Sequence, residues 1–370
     1  MTAAFPLVSV SGPPLERGRQ YGRQAGERIA VSVSIYAAAF ASAEVDWGVV
    51  QGRAKAFLPR LEAYDGALAE EIRGIAEGAG RPVEDIVALN ARTELLYGEG
   101  SEFVAKQALD DGCTGAVVLP DASANGHLLH GQNWDWLDAC VGSALVLRID
   151  LGAAGRLLTF CEAGVVGRAG LNSHGVALTG NFLECEQTAA PRAVPIPLVR
   201  RRVLEADSLP RALREIMRAP RSFANNMMVS QIGGEGEGEA VDLETTPQAV
   251  FWDLPEEELL VHANHFRSAA ALARIHDLGV ERSSDSLIRE RRVTRRLRAK
   301  RGAVTLEDMK AAFDDRFGAP RAVCRSPAPG EPGGEHSTVA TILMDVTERV
   351  LWAAPAPYLG AHYKEYRLYD

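Results

Sequence analysis

Cysteine is scarce in this chain: 370 residues contain only Cys113, Cys140, Cys161, Cys185 and Cys324. They are odd in number, widely scattered and include no C-x-x-C pair. That pattern argues for free thiols in a reducing compartment rather than a disulfide framework or a zinc site. Long apolar runs are missing too, and none approaches the ~20 residues needed to span a bilayer. The amino-terminal "MTAAFPLVSVSGPP" has neither a basic n-region nor a convincing apolar h-region. The expected location is therefore the cytoplasm, with no membrane partner. Positive charge is in deficit, with 40 basic against 49 acidic residues, a net charge of −9 and a pI near 5.5. Such a surface repels a phosphate backbone, so nucleic acid is not an expected partner. What the chain does have is 46% hydrophobic residues, enough for one large core or two moderate ones.

The hydrophobic period divides the chain. From Leu15 to about Tyr97 it is helical, predicting two long helices and a shorter one between Gly, Pro and Asp punctuation. After Gly112 it changes to short β-like runs, "TGAVVLP", "HLLHGQNWD", "ALVLRIDL", "RLLTFCEAG" and "GVALTGNF", expected to form one antiparallel sheet of hairpins. Helices are predicted from about Ile196 to Ala219, followed by the strands "NNMMVSQIG", "EAVDLETT", "AVFWDL" and "ELLVHAN". "GGEGEGE" at 233–239 reads as a hairpin tip. Helices return at about Asp285–Arg301 and Thr305–Phe317, and after the loop "SPAPGEPGGEHS" come closing strands "TVATILMDV" and "VLWAAP". Strands grouped apart from helices predict an α+β layered architecture.

The chemistry points to "LDDGCTGAVVLP", residues 109–120, where a strand opens on a cysteine preceded by a glycine. If the bond between Gly112 and Cys113 were cut, Cys113 would carry an α-amine with a reference pKa of about 7.7–8.0 beside a thiol of about 8.5. Nucleophile and base would then belong to one residue. Gly112 suits self-cleavage because no side chain blocks thiol attack on its carbonyl. Asp110 and Asp111 could polarise the junction, although an acidic loop is more often merely solvated. A lone cysteine at a strand start is also commonly a small buried hydrophobe. The surroundings weigh against that: "GQNWDW" at 131–136 ends the next strand, and a hairpin turning near Ala124–Gly126 would return Asn133 and Asp135 close to Cys113. An aspartate there could orient the freed amine as the third member of a triad orients its base.

These segments, taken in order, resemble the isopenicillin N acyltransferase (acyl-coenzyme A:6-aminopenicillanic acid acyltransferase) family of N-terminal-nucleophile cysteine hydrolases. The resemblance covers most of the chain: "ERGRQYGRQAGERI", "DGCT", "GQNWDW", "EAGVVGRAGLNSHGVALTGNFL", "HANHF" at 262–266, "SSDSLIRERRVTRRL" at 283–297 and "CR" at 324–325. It implies a four-layer αββα sandwich with a helical amino-terminal segment, and an inactive precursor that cuts itself. Residues 1–112 would be a helical pro-segment that is cleaved off but retained, and 113–370 a catalytic chain starting at Cys113, the two forming a heterodimer. It implies Cys113 as nucleophile, Asp135 as support for its amine, Asn264 as the oxyanion-hole side chain and Arg325 as an arginine near the site. No cofactor is implied.

Independent chemistry agrees on Asn264, because acyl transfer passes through a tetrahedral oxyanion and a neutral amide is a suitable donor to it. Asn133, Asn181 and His265 are the expected substrate contacts. His262 and His265 would lie on opposite faces of a strand end, or as an i, i+3 pair on a turn could bind metal. No third ligand adjoins them in sequence and the spacing matches no zinc motif, so no metal is expected. "GLNSHGVALTGNF" predicts a hairpin whose turn is held by Asn172 and Gly175. "RERRVTRRLRAKR", 289–301, reads as a solvated helix face with a narrow apolar stripe of Leu287, Val293 and Leu297. Contact with the phosphates of a coenzyme A thioester is an alternative.

The leading function is thus a self-processing amidohydrolase or acyltransferase that holds its acyl group as a thioester on Cys113. Its substrate would be a small-molecule acyl amide, with an acyl-coenzyme A thioester as a second option. A papain-like thiol protease pairing Cys113 with His265 is the enzymatic alternative. An unprocessed, non-catalytic binding protein is the other.

Overall fold

The computed structural model describes residues 3–97, 112–187, 193–331 and 333–369, so Asp110 and Asp111 lie outside the described residues. A short strand that the helical period did not reveal, β1 (Leu7–Ser11), comes first. Helices α1 (Pro14–Ser42), α2 (Trp47–Lys55), α3 (Leu58–Tyr64), α4 (Gly66–Ala79), α5 (Val83–Asn90) and α6 (Arg92–Tyr97) follow. The expected second long helix is broken at Asp65, whose extended backbone (φ −155°) and side chain cap α4 by accepting from the Leu68 N–H at 3.0 Å. Glycine sets the packing of α1 on α4. A Cβ at Gly18 or Gly74 would fall 2.1 Å from a carbonyl oxygen of the other helix. Only glycine lets the two backbones meet.

Strands β2 (Thr114–Val118), β3 (Leu129–Leu137), β4 (Ala144–Asp150), β5 (Arg156–Glu162), β6 (Ala169–Asn172) and β7 (Val176–Phe182) come next. Then α7 (Ile196–Leu204) and α8 (Leu209–Arg218) lead into β8 (Asn225–Ile232), β9 (Gly238–Thr245), β10 (Val250–Asp253) and β11 (Leu259–His262). The chain closes with α9 (Ala269–Leu272), α10 (Leu278–Arg282), α11 (Asp285–Arg298), α12 (Leu306–Phe313), β12 (His336–Asp345), β13 (Val350–Pro355) and β14 (Lys364–Arg367).

Among the described residues the strands form two sheets, one of eight in the order β1-β4-β5-β6-β7-β8-β9-β10 and one of six in the order β11-β2-β3-β12-β13-β14. The hairpins expected in one sheet are therefore shared between two. A 3-10 turn at Asp138–Gly142 carries the chain from β3 in the smaller sheet to β4 in the larger. The inner faces meet in a continuous apolar core, where Trp134 sets its ring edge-on to Phe160 at 5.6 Å. Helices α7 and α8 cover the larger sheet, while α11 and α12 cover the smaller through Val293, Leu297, Met309 and Phe313. The result is the α+β, four-layer αββα arrangement. The β6–β7 turn is held as expected: Asn172 Oδ1 accepts from the His174 and Val176 N–H groups, and Gly175 takes φ +77°.

Candidate active site

Register places the cysteine. Thr114 of β2 pairs with Asn133 of β3, so β3 continues past Cys113 and brings Asp135 beside it. Cys113 is buried, with Sγ 3.7 Å from the Asp135 carbonyl oxygen. The Asp135 side chain is fully enclosed. Its Oδ1 accepts from Thr338 Oγ1 of β12 at 2.7 Å, and its Oδ2 lies 3.9 Å from Arg325 Nε. Thr338 Oγ1 accepts in turn from the Arg325 N–H at 2.8 Å, which ties the carboxylate and the arginine to one strand edge.

Gly112 is wedged against this pair. A Cβ on it would lie 2.7 Å from Asp135 Oδ2 and 2.8 Å from Arg325 Cζ, so any side chain there would push the carboxylate and the guanidinium aside. Its carbonyl oxygen accepts from Arg289 Nη1 at 2.6 Å, and the same nitrogen reaches Cys113 O at 2.7 Å and Thr114 Oγ1 at 2.9 Å. Arg289 Nη2 donates to Asn264 Oδ1 at 2.9 Å, and Nε donates to Asp285 Oδ2 at 2.8 Å. A guanidinium has only donors, so this bond fixes which way the Asn264 amide faces. Asn264 Nδ2 gives one N–H to Phe182 O at 3.0 Å and keeps a second for another acceptor. Burial acts against ionisation of Asp285, but the Arg289 and Arg325 guanidiniums outweigh it and hold the carboxyl below its usual range. Among the other cysteines, burial pushes the thiols of Cys161 and Cys324 up to about 12, and those of Cys140 and Cys185 are raised as well.

Of the residues expected at the site, Cys113, Asp135, Asn264 and Arg325 come together. The three expected substrate contacts are committed elsewhere. Asn133 donates to Phe313 O and Val323 O and accepts from Thr341, binding β3 to the outer helical layer. Asn181 links Gln132, Asn226 and His262 O within the core. His265 uses one ring nitrogen on Ser286 Oγ at 2.7 Å and the other on Glu290 at 2.9 Å. That also removes the thiol–imidazole pair a papain-like site requires. His262 and His265 are not on opposite faces, since their rings stack with centroids 6.2 Å apart. Among the described residues His265 joins no ligand cluster; the fold instead sets Asp242 and Glu244 beside His262 alone.

Arg289 is the residue at this site that the sequence did not single out, its helix reading as a solvated face. Its signal was in the period. Arg289, Val293 and Leu297 are four residues apart and all buried, whereas Leu287, counted in the stripe, is 46% exposed. A narrow pocket of about 30 Å³ is lined by Trp134, Trp136, Phe182 and Phe223 together with Arg168 and Arg200. Arg168 stacks over the Trp134 ring at 4.2 Å.

Residues 122–356 match the family model described as acyl-coenzyme A:6-aminopenicillanic acid acyl-transferase, a span that holds Asp135, Asn264, Arg289 and Arg325 and begins just after Cys113. The chain is also similar to the 40 kDa form of acyl-coenzyme A:6-aminopenicillanic-acid-acyltransferase of Emericella nidulans, 29% identical over 352 residues, covering 91% of this chain and 89% of that protein. Weaker likenesses are to a conjugated bile acid hydrolase mutant of Clostridium perfringens (13% identity, TM-score 0.46, 69% of this chain and 92% of that one). A penicillin V acylase of Agrobacterium tumefaciens is comparable (15%, 0.45, 69% and 86%). The match over residues 122–356 makes this chain a member of the acyl-coenzyme A:6-aminopenicillanic acid acyl-transferase family.

Proposed function

We propose that the protein is a self-processing N-terminal-nucleophile cysteine amidohydrolase or acyltransferase, cut between Gly112 and Cys113 and then working through a thioester on Cys113. The observation that carries this reading is the clamp on the Gly112 carbonyl, held at 2.6 Å by Arg289 while the glycine itself is pressed against Asp135 and Arg325. In the precursor, the Cys113 thiol attacks the Gly112 carbonyl carbon, and Arg289 stabilises the charge that develops on its oxygen. The C–N bond breaks as the nitrogen takes the thiol proton, leaving a thioester. Water hydrolyses that thioester, releasing the Gly112 carboxylate and regenerating the thiol.

In the mature enzyme the freed α-amine accepts the thiol proton, and the thiolate attacks the carbonyl of an acyl amide. Asn264 offers its remaining N–H to the oxyanion, and Asp135, on the strand paired beside Cys113, would orient the amine. The departing amine takes the proton back, and water or a second amine resolves the thioester. The acyl donor would be a small-molecule acyl amide, with an acyl-coenzyme A thioester as the alternative. Both cut chains would stay together. β1 pairs in parallel with β4, Tyr36 OH accepts from Trp136 Nε1 at 2.9 Å, and buried Glu71 meets Arg201 at 3.0 Å.

Intact mass of the purified protein with amino-terminal sequencing tests the reading. Two associated species, one ending at Gly112 and one beginning at Cys113, are expected, with none from Cys113→Ala. A cleaved Cys113→Ala sample, or a wild-type chain that stays whole and has no thiol-dependent activity, refutes it.

A further inference from the structure

Behind the loop that carries Asn264, two strands bring three ligand-type side chains into one buried knot. Asp242 and Glu244 sit two apart on β9, hence on one face of it, and His262 ends β11. All three are at most 1% exposed. His262 Nε2 lies 2.9 Å from Glu244 Oε1 and 3.8 Å from Asp242 Oδ2, and the three ligand atoms fall within 4.8 Å of one another. Zinc bonds of about 2.0–2.2 Å in tetrahedral array separate neighbouring ligand atoms by about 3.3–3.6 Å. The two distances from the imidazole bracket that spacing.

Each ligand is oriented from behind. His262 Nδ1 is 2.9 Å from the Ala263 carbonyl oxygen, which anchors a proton on that nitrogen and turns Nε2 toward the carboxylates. Asp242 Oδ1 accepts from Asn226 Nδ2, and Glu244 accepts from the backbone N–H groups of Arg267 and Ser268. Asp242 Oδ2 is different: it is buried, points at the imidazole edge and has no hydrogen-bond donor. A buried carboxylate oxygen without a donor is costly. The nearby Arg267 guanidinium is engaged by Glu290 at 3.1 Å and Val261 O at 2.8 Å. Burial acts against a charged His262, but Asp242 and Glu244 outweigh it and raise the imidazole to about 9, so a divalent ion would displace the Nε2 proton and take over neutralising the two carboxylates.

We propose that Asp242, Glu244 and His262 bind one divalent first-row cation, zinc foremost. Its role is to brace rather than to react. Glu244 already holds the backbone of Arg267 and Ser268, and the cation would lock β9 to the 262–268 segment that positions Asn264.

Elemental analysis of the full-length protein, purified without chelator or metal-affinity resin, tests this. About one equivalent of zinc per chain is expected. After chelation, Co2+ should be taken up with the visible absorption of a low-symmetry N/O site, and Zn2+ should displace it and raise Tm. Asp242→Asn and His262→Gln should lose that stoichiometric metal. Wild-type protein that carries only traces of metal and takes up neither Co2+ nor Zn2+ after chelation overturns the proposal, and so do folded variants that retain metal as the wild type does. If neither variant folds, the wild-type titration alone decides. None of these readouts depends on self-cleavage or on acyl transfer.

Discussion

Arg289→Lys isolates the clamp on the Gly112–Cys113 bond. The guanidinium serves Gly112 O, Cys113 O and Thr114 Oγ1 through Nη1 and Asn264 Oδ1 through Nη2. An ammonium is a point donor on a flexible stem and cannot hold the Gly112 carbonyl and the Asn264 amide in one plane. Losing one aligned donor to a developing oxyanion costs about 2.7–4 kcal/mol, or roughly 100- to 1000-fold in rate. Self-cleavage of the variant is expected to slow by that order. Lysine is preferred to alanine because Asp285 would otherwise keep its charge with one guanidinium fewer, and removing a buried partner costs about 3–5 kcal/mol of stability. The assay follows conversion of freshly synthesised precursor by intact mass, with circular dichroism melts showing that the variant is folded. A folded Arg289→Lys protein that processes at the wild-type rate would refute the reasoning, because the carbonyl contact would then contribute nothing to the step.

Gly112→Ala places a methyl 2.7 Å from Asp135 Oδ2 and 2.8 Å from Arg325 Cζ. The clash should cost about 1–3 kcal/mol and slow cleavage about tenfold or more; an unchanged time course would contradict the wedge. Asn264→Ala should lower kcat of the mature enzyme by on the order of 100-fold, and an unaltered kcat removes Asn264 from the oxyanion site. Burial pushes the Glu94 carboxyl up to about 7, above the ~4.3 of an unfolded chain. The folded state therefore binds the proton more tightly, so this group's stabilising effect falls as pH rises from about 4.3 to about 7 and is absent above that window. Glu94→Gln keeps the oxygen that accepts from the Ile196 N–H. It should raise Tm at about pH 8 and have little effect near about pH 4.5, whereas a pH-independent difference in Tm would argue against a buried, titrating Glu94.

Local physics was legible where neighbours in sequence are neighbours in space. Alternating residues marked β2 and β3, and their pairing put Asp135 beside Cys113 from a separation of 22 residues. The Asn172 turn and the Gly-rich tip between β8 and β9 were likewise readable from turn chemistry. The missed strand and the misplaced substrate contacts share one source. β1 has a pairing partner, β4, far along the chain, and nothing within its five residues announces that partner. Asn133, Asn181 and His265 are polar residues of the right type near the right strands, but core hydrogen bonds claim them. Their type was visible in sequence; which face of a strand met which neighbour was not.

From sequence alone came the strand opening on Gly112-Cys113, the returning strand with its aspartate, and a division into helical and sheet-forming halves. Those features follow from periodicity and turn residues, which act over a few positions. Tertiary structure alone decided that Arg289, 177 residues from Gly112, would grip its carbonyl. It also decided that Asp242 and Glu244 would close on His262. Packing α11 on the smaller sheet turns an arginine of a basic helix inward, and pairing β9 and β11 into different sheets still leaves their ends in contact. Such meetings depend on how layers stack: the spacing of Arg289, Val293 and Leu297 marks a buried face, but the burial that chooses what meets it sums over the whole core.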